Sequence, residues 1–190
     1  MKIYLVRHGE TFEGNQGIIL GNMPGTLADS GKIYAKNVGS YISTLVPKPQ
    51  QIVSSDLRRA VATAEIISKI TDIQLSFEPL LRERSAGVVE GKMEIEIDWD
   101  SYEKQPLAYR KHLGGESFKE VNKRVKKFLD NILKQSNTDL ILVTHSVVIS
   151  MFLSELLEWD YKKSLGYKYK NSILILDISE DGTNITELSI

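Results

Sequence analysis

Apolar residues along this chain follow two spacings. Short, nearly continuous runs of Ile, Leu and Val at Ile3 to Val6, Gln51 to Ser54, Leu140 to Thr144 and Ser172 to Ile178 predict buried strands. Between them the spacing widens to that of a helix. Ser30 to Leu45 carries Ile33, Val38, Tyr41, Ile42 and Leu45, and Pro47 and Pro49 close the segment. Leu57 to Ile70 presents Leu57, Val61, Ala64, Ile67 and Ile70 along one face. Ser117 to Gln135 turns Phe118, Val121, Val125, Phe128, Leu129 and Ile132 inward and its lysines outward. Val147 to Leu157 is apolar almost all round, which predicts a helix packed on several sides. Strands that alternate with helices predict parallel pairing in a layered α/β domain. The apolar tail Ile185 to Ile190 reads as an edge strand or a contact surface.

Two of the strands end in chemistry rather than in turn residues. The first hands over to Arg7, His8 and Gly9, and the third to His145. Ligands of an open α/β sheet gather outside the carboxyl ends of its strands, so both histidines are expected at one edge. His145 would open a helix whose free amides face the same crevice. The run Gln51 to Ser54 leads into SSDLRRAVATA, which places Arg58 and Arg59 in the first turn of a helix capped by Ser55 or Asp56. Of the arginine pair, Arg59 is expected to face the site and Arg58 the solvent. Positive charge beside His8 disfavours imidazolium and leaves a neutral, nucleophilic ring, while Gly9 lets the backbone come close to a ligand.

Composition narrows the partners. The chain has 190 residues, 42% of them hydrophobic, enough for one compact domain. Lysines and arginines number 24 against 25 acidic residues, so nothing in the balance points to nucleic acid or an anionic membrane, and any anion site is local. The absence of cysteine excludes disulfides, thiolate zinc sites and cysteine nucleophiles, and suits a reducing compartment. The first apolar run is too short for a signal peptide, and no stretch approaches the roughly 18 apolar residues of a membrane span. A cytoplasmic protein is therefore expected. The carboxylates of EIEIDWD, Glu94 to Asp100, read as a solvated face without the glycine of a calcium loop, and His112 as an ordinary surface histidine.

Five blocks taken in order resemble a known family. RHGET at Arg7 to Thr11, SSDLRRAVATA at Ser54 to Ala64, LLRERSAGVVEG at Leu80 to Gly91, GGESFKEVNKR at Gly114 to Arg124 and VTHS at Val143 to Ser146 are similar to motifs of the histidine phosphatase superfamily, also called phosphoglycerate-mutase-like. The resemblance implies a three-layer αβα sandwich with a mainly parallel central sheet. It implies a single unit over 1–190 with a small helical and loop cap inserted at about 92–115. It implies that His8 is the nucleophile, that Arg7, Arg59 and His145 hold the phosphoryl oxygens, and that Glu83 serves as proton donor and then as base. Thr11, Asn15, Gly21 and Ser146 are the expected substrate-binding residues. No metal and no cofactor are implied, and the expected partner is a small phosphorylated substrate, bound by a monomer or homodimer.

Three departures from the family pattern stand out. The usual asparagine three residues beyond the first motif's threonine is Gly14, with Asn15 one step on; Ser146 replaces a common glycine; and Ala28 stands where a threonine usually caps a helix. That last change weakens the helix start by about 1 kcal/mol unless Asp29 substitutes. Family mutases carry longer insertions between the glutamate and GES blocks than the thirty or so residues between Glu83 and Glu116. A small lid admits water, which favours hydrolysis. Trp99, Tyr102, Tyr109, Arg110 and Lys111 of the cap are expected to line the mouth. Phosphoryl transfer of the phosphoglycerate mutase type, and a non-catalytic binding module, are the alternatives.

Overall fold

The computed structural model describes residues 1–135, 138–169 and 171–190. In chain order its strands and α-helices are β1 (Lys2–Arg7), α1 (Phe12–Asn15), α2 (Asp29–Ser43), β2 (Gln51–Ser54), α3 (Arg58–Thr71), β3 (Leu75–Phe77), α4 (Trp99–Glu103), α5 (Phe118–Gln135), β4 (Leu140–Thr144), α6 (Ser146–Leu156), α7 (Tyr161–Gly166), β5 (Ser172–Ser179) and β6 (Gly182–Ser189). The strands form one sheet in the order β3-β2-β4-β1-β5-β6. The first four in that order run parallel to one another. β5 and β6 run antiparallel, which corrects the expectation of parallel pairing for Ser172 to Ile178.

Alternation along each strand divides the core in two, because successive side chains point to opposite faces. Tyr4, Val6, Ile141, Val143 and Ile173 meet Tyr34, Val38 and Ile42 of α2 and Ala60, Ala64 and Ile67 of α3. Ile3, Leu5, Leu142, Leu174 and Leu176 meet the apolar stripe of α5 and nearly all of α6. α6 is wedged between the sheet and α5, with Phe152 edge-on to Phe128 at 6.0 Å, which is why its sequence lacks a polar face. Each fully buried aliphatic or aromatic side chain contributes roughly 1.5–3 kcal/mol, so both layers are needed.

The C-terminal tail is an edge strand. A two-residue turn at Glu180 and Asp181 pairs β6 with β5, bringing Ile185 opposite Leu176. β3 is the opposite edge, too short to register in the hydrophobic pattern. Residues 92–115 carry α4 and 3₁₀ turns at Glu94–Glu96 and Leu107–Tyr109. Glu94, Glu96, Asp98 and Asp100 are exposed, and Asp98 caps α4. His112 is not ordinary surface: it stacks on Tyr102 at 4.6 Å, with Trp99 edge-on. Among the described residues no helix is long and apolar enough to cross a membrane.

Helix starts depart from expectation in two places. The α3 N-cap is Leu57, without a side-chain cap, because Asp56 is occupied by a bidentate pair with Arg82. α2 begins at Ala28, also uncapped, and Asp29 does not substitute, since its carboxylate turns to Lys32 at 2.9 Å. Ala28→Ser supplies the missing acceptor for the first-turn amides and is expected to raise stability by about 1 kcal/mol in urea denaturation. An unchanged midpoint would mean that the buried position has no room for the hydroxyl.

Candidate active site

The carboxyl ends of β1, β4 and β2 are laced together one residue beyond their ladders. His8 N–H donates to Thr144 O at 2.9 Å, and Ser55 N–H to Val143 O at 2.9 Å. Parallel register thus brings His8, Ser55 and His145 to one edge from positions far apart in sequence. The His8 and His145 rings lie 5.0 Å apart between centroids.

The partners of His8 define its tautomer. Nδ1 lies 2.8 Å from the Gly9 carbonyl, which only accepts, so Nδ1 carries the proton. Nε2 is then a bare lone pair, and it accepts from Arg59 Nε–H at 3.2 Å. Burial first, then the charges of Arg59 and Arg7, push His8 down to about 3, against a smaller opposing effect of the Gly9 carbonyl. His145 is wholly buried, with Nε2 2.8 Å from Ser55 Oγ and no partner for Nδ1 among the described residues. Burial and then the neighbouring His8 and arginines hold it well below the usual histidine range.

Arg59 points inward at 1% exposure, and Arg58 outward. Its Nη1 donates to Met23 O and Nη2 to Gly21 O, each at 2.7 Å. Three of five N–H donors are thereby used, leaving two for a ligand. Burial lowers its proton affinity, and the Glu83 carboxylate is the largest opposing influence, which puts Glu83 within electrostatic reach of the guanidinium. Thr63 joins the pieces: its hydroxyl donates to Arg59 O at 2.8 Å and accepts from Gly9 N–H at 3.0 Å. Gly9 must lack a side chain, because a β-carbon there would overlap the backbone of Gly31 at the start of α2.

A cavity of about 480 Å³ opens over His8. Arg7, Arg59 and Glu83 line it, with Thr11, Asn15 and Gly21 on the loop side. Thr11 also caps α1, accepting from Gly14 N–H, and Gly21 holds Arg59 through its carbonyl. Gly21 adopts a φ of 49°, and a β-carbon there would collide with the Glu90 carboxylate. Ser146 opens α6 and does not line the cavity, nor does the buried His145 behind it. The far wall was not anticipated. It consists of Tyr34, Tyr169, Asn171 and Ser172, whereas Trp99, Tyr102, Tyr109, Arg110 and Lys111 lie elsewhere. Tyr34 donates to Ser172 O at 3.1 Å, and burial pushes the Tyr169 hydroxyl up to about 12.

Glu83 is carried by a loop held from behind. Arg124 pairs with Glu116 at 3.0 Å and donates to the carbonyls of Leu80 and Glu83. Glu116 also accepts from Ser85 N–H at 2.9 Å. Glu90 accepts from Asn22 N–H, Ser85 Oγ–H and Ala86 N–H, tying this loop to the one that holds Arg59. These bracing residues sit inside the quoted sequence blocks, but spacing alone gave no sign of their role.

The histidine phosphatase superfamily (branch 1) matches residues 3–190 of the chain. A Salmonella paratyphi C protein named "Probable phosphoglycerate mutase GpmB" is 32% identical over 168 residues, covering 83% of this chain and 75% of its own. Among solved structures, the α-ribazole phosphatase from Shigella flexneri superposes with a TM-score of 0.88 at 20% identity, covering 100% of this chain and 96% of that one. A mycobacterial glucosyl-3-phosphoglycerate phosphatase complexed with VO3 gives 0.85 at 22%, covering 97% and 96%. At such identities the two structures speak for the fold. The family match, over almost every residue, establishes that this chain belongs to the histidine phosphatase superfamily and is an enzyme of the histidine phosphatase type.

Proposed function

We propose that the protein hydrolyses small phosphomonoesters through a phosphohistidine on His8, without a metal ion. The observation that carries this reading is the unprotonated Nε2 of His8, held at the cavity floor by Arg59 Nε–H. Phosphorus approaching Nε2 displaces that hydrogen bond, and the freed N–H turns to a phosphoryl oxygen. The P–N bond forms as the P–O bond to the alcohol breaks, and Glu83, as the acid, protonates the departing oxygen. Water then attacks phosphorus while the Glu83 carboxylate takes its proton. The P–N bond breaks, its electrons return to Nε2, and inorganic phosphate leaves. Phosphoryl transfer asks a protein mainly for positioning and charge: Arg7 and Arg59 supply the charge, and the neutral His145 a hydrogen bond from behind the cavity lining.

The name of the Salmonella relative favours a second reading, phosphoryl return to a phosphoglycerate. Among the described residues the cations lining the cavity are Arg7 and Arg59, both assigned to the transferred group. Neither of these two is then spare for a substrate carboxylate, which favours hydrolysis over phosphoryl return.

Para-nitrophenyl phosphate should be hydrolysed by wild type, with EDTA leaving the rate unchanged. His8→Ala should lose roughly 10³ or more in kcat. Hydrolysis that survives His8→Ala would remove the nucleophile from this account. Absence of hydrolysis by wild type on a panel of metabolite monophosphates would favour a binding module. Glu83→Gln separates the steps: kcat should fall about 10²–10⁴ for an alkyl phosphate but much less for para-nitrophenyl phosphate, whose leaving group needs no proton. Equal losses on both would contradict the acid role.

The depressed affinity of His8 for protons also sets a pH dependence. Unfolded His8 binds a proton near its ordinary value of 6.5, whereas the folded residue stays neutral down to about 3. The unfolded state therefore binds more protons between these values, and stability falls as pH drops from about 6.5 toward 3. Urea midpoints at about pH 7.5 and 4.5 should fall further for wild type than for His8→Gln.

A further inference from the structure

We infer that Ser55 is a positioning residue that sets the tautomer of His145, holding its one proton on Nδ1, the ring atom left over for a phosphoryl oxygen that comes between the two histidine rings. The second half of this statement rests on the function proposed above; the first rests on hydrogen bonding alone.

Ser55 is wholly buried, and its backbone N–H is spent on Val143 O. Its hydroxyl oxygen accepts from Leu57 N–H at 3.2 Å, so that bond does not consume the hydroxyl proton. The acceptor within reach of that proton is His145 Nε2 at 2.8 Å. A hydroxyl that donates to Nε2 requires Nε2 to be bare. The neutral ring then has its proton on Nδ1. The opposite arrangement, with Nε2–H donating to Ser55, would fill both lone pairs of the oxygen and leave its own proton without an acceptor among the described residues.

The charge pattern agrees. His145 occupies the N-cap position of α6, and burial first, then His8 and the charges of Arg59, Arg124 and Arg7, keep the ring neutral with a single proton. Nδ1 is buried and without a partner among the described residues, and the His8 ring lies 5.0 Å away between centroids. An Nδ1–H donor meets an anionic phosphoryl oxygen as a hydrogen bond; an Nδ1 lone pair would repel it. Ser55 would thus do for the second histidine what the Gly9 carbonyl does for the first. Each histidine is given the tautomer its task needs by a group on the side away from the substrate.

The test uses protein labelled with ¹⁵N at its three histidines. His145→Gln assigns the His145 resonances, and Ser55→Ala and Ser55→Thr probe the hydroxyl. Wild type and Ser55→Thr are expected to show the His145 proton coupled to Nδ1, with Nε2 bare. Ser55→Ala is expected to shift the proton wholly or partly to Nε2 and to lower kcat/KM about 10- to 100-fold, with Ser55→Thr restoring most of the loss. A wild-type spectrum with His145 protonated at Nε2 overturns the inference, as does a Ser55→Ala spectrum unchanged from wild type. Should Ser55→Ala fail to fold, the wild-type spectrum still decides. Because the tautomer is read in protein without substrate, failure of the hydrolytic reading and failure of this one are seen separately.

Discussion

A guanidinium sealed inside a protein is the constraint around which this one is arranged. Arg59 is almost wholly buried, and an unsatisfied charge there would be prohibitive. The carbonyls of Gly21 and Met23 accept from its two outer nitrogens, and the Nε2 lone pair of His8 accepts from the third. To present those carbonyls, the loop after α1 takes a left-handed turn at Gly21, and Glu90 holds the adjoining amide of Asn22. After the burial of His8 itself, the same charge is the largest influence keeping that ring unprotonated. One residue therefore ties together loop shape, the ionisation of His8 and the positive charge at the cavity.

The carboxyl-end edge of the sheet supplies the rigidity this requires. Backbone bonds from His8 to Thr144 and from Ser55 to Val143 extend the ladder into the site, so His8 and His145 are placed by the sheet rather than by loops. Glu83 is the exception, since it sits between elements. Its loop is held by Arg124, Glu116 and Glu90, and Thr144 Oγ1–H anchors Leu81 O from the β4 end at 2.8 Å. The GES block thus contributes to the site through backbone positioning, without touching the cavity itself.

Much of the fold was legible because burial writes itself into spacing. The four long helices and the strands at Ile3, Gln51, Leu140 and Ser172 were each found within a residue or two. Direction was not legible: Ser172 to Ile178 has the same apolar look whether paired parallel or antiparallel, and the choice came from the tight turn to β6 and the path through α7. The caps misled for a local reason. Asp56 and Asp29 have the chemistry of capping residues, but each found a cation instead, Arg82 and Lys32. His112 read as surface because its neighbours in sequence are polar, whereas its neighbours in space are Trp99 and Tyr102.

Sequence alone determined where strands stop and charge begins: Arg7 and His8 after one apolar run, His145 after another, Arg59 in the first turn of a helix that follows a third. Those assignments depend on short stretches whose spacing dictates which way a side chain points. Tertiary structure alone decided the far wall of the cavity. Tyr169, Asn171 and Ser172 reach the cavity because β5 lies antiparallel beside β1, so that β5 begins, at Ser172, at the end where β1 delivers His8. No periodicity encodes that meeting, since it joins segments more than a hundred residues apart and depends on strand order.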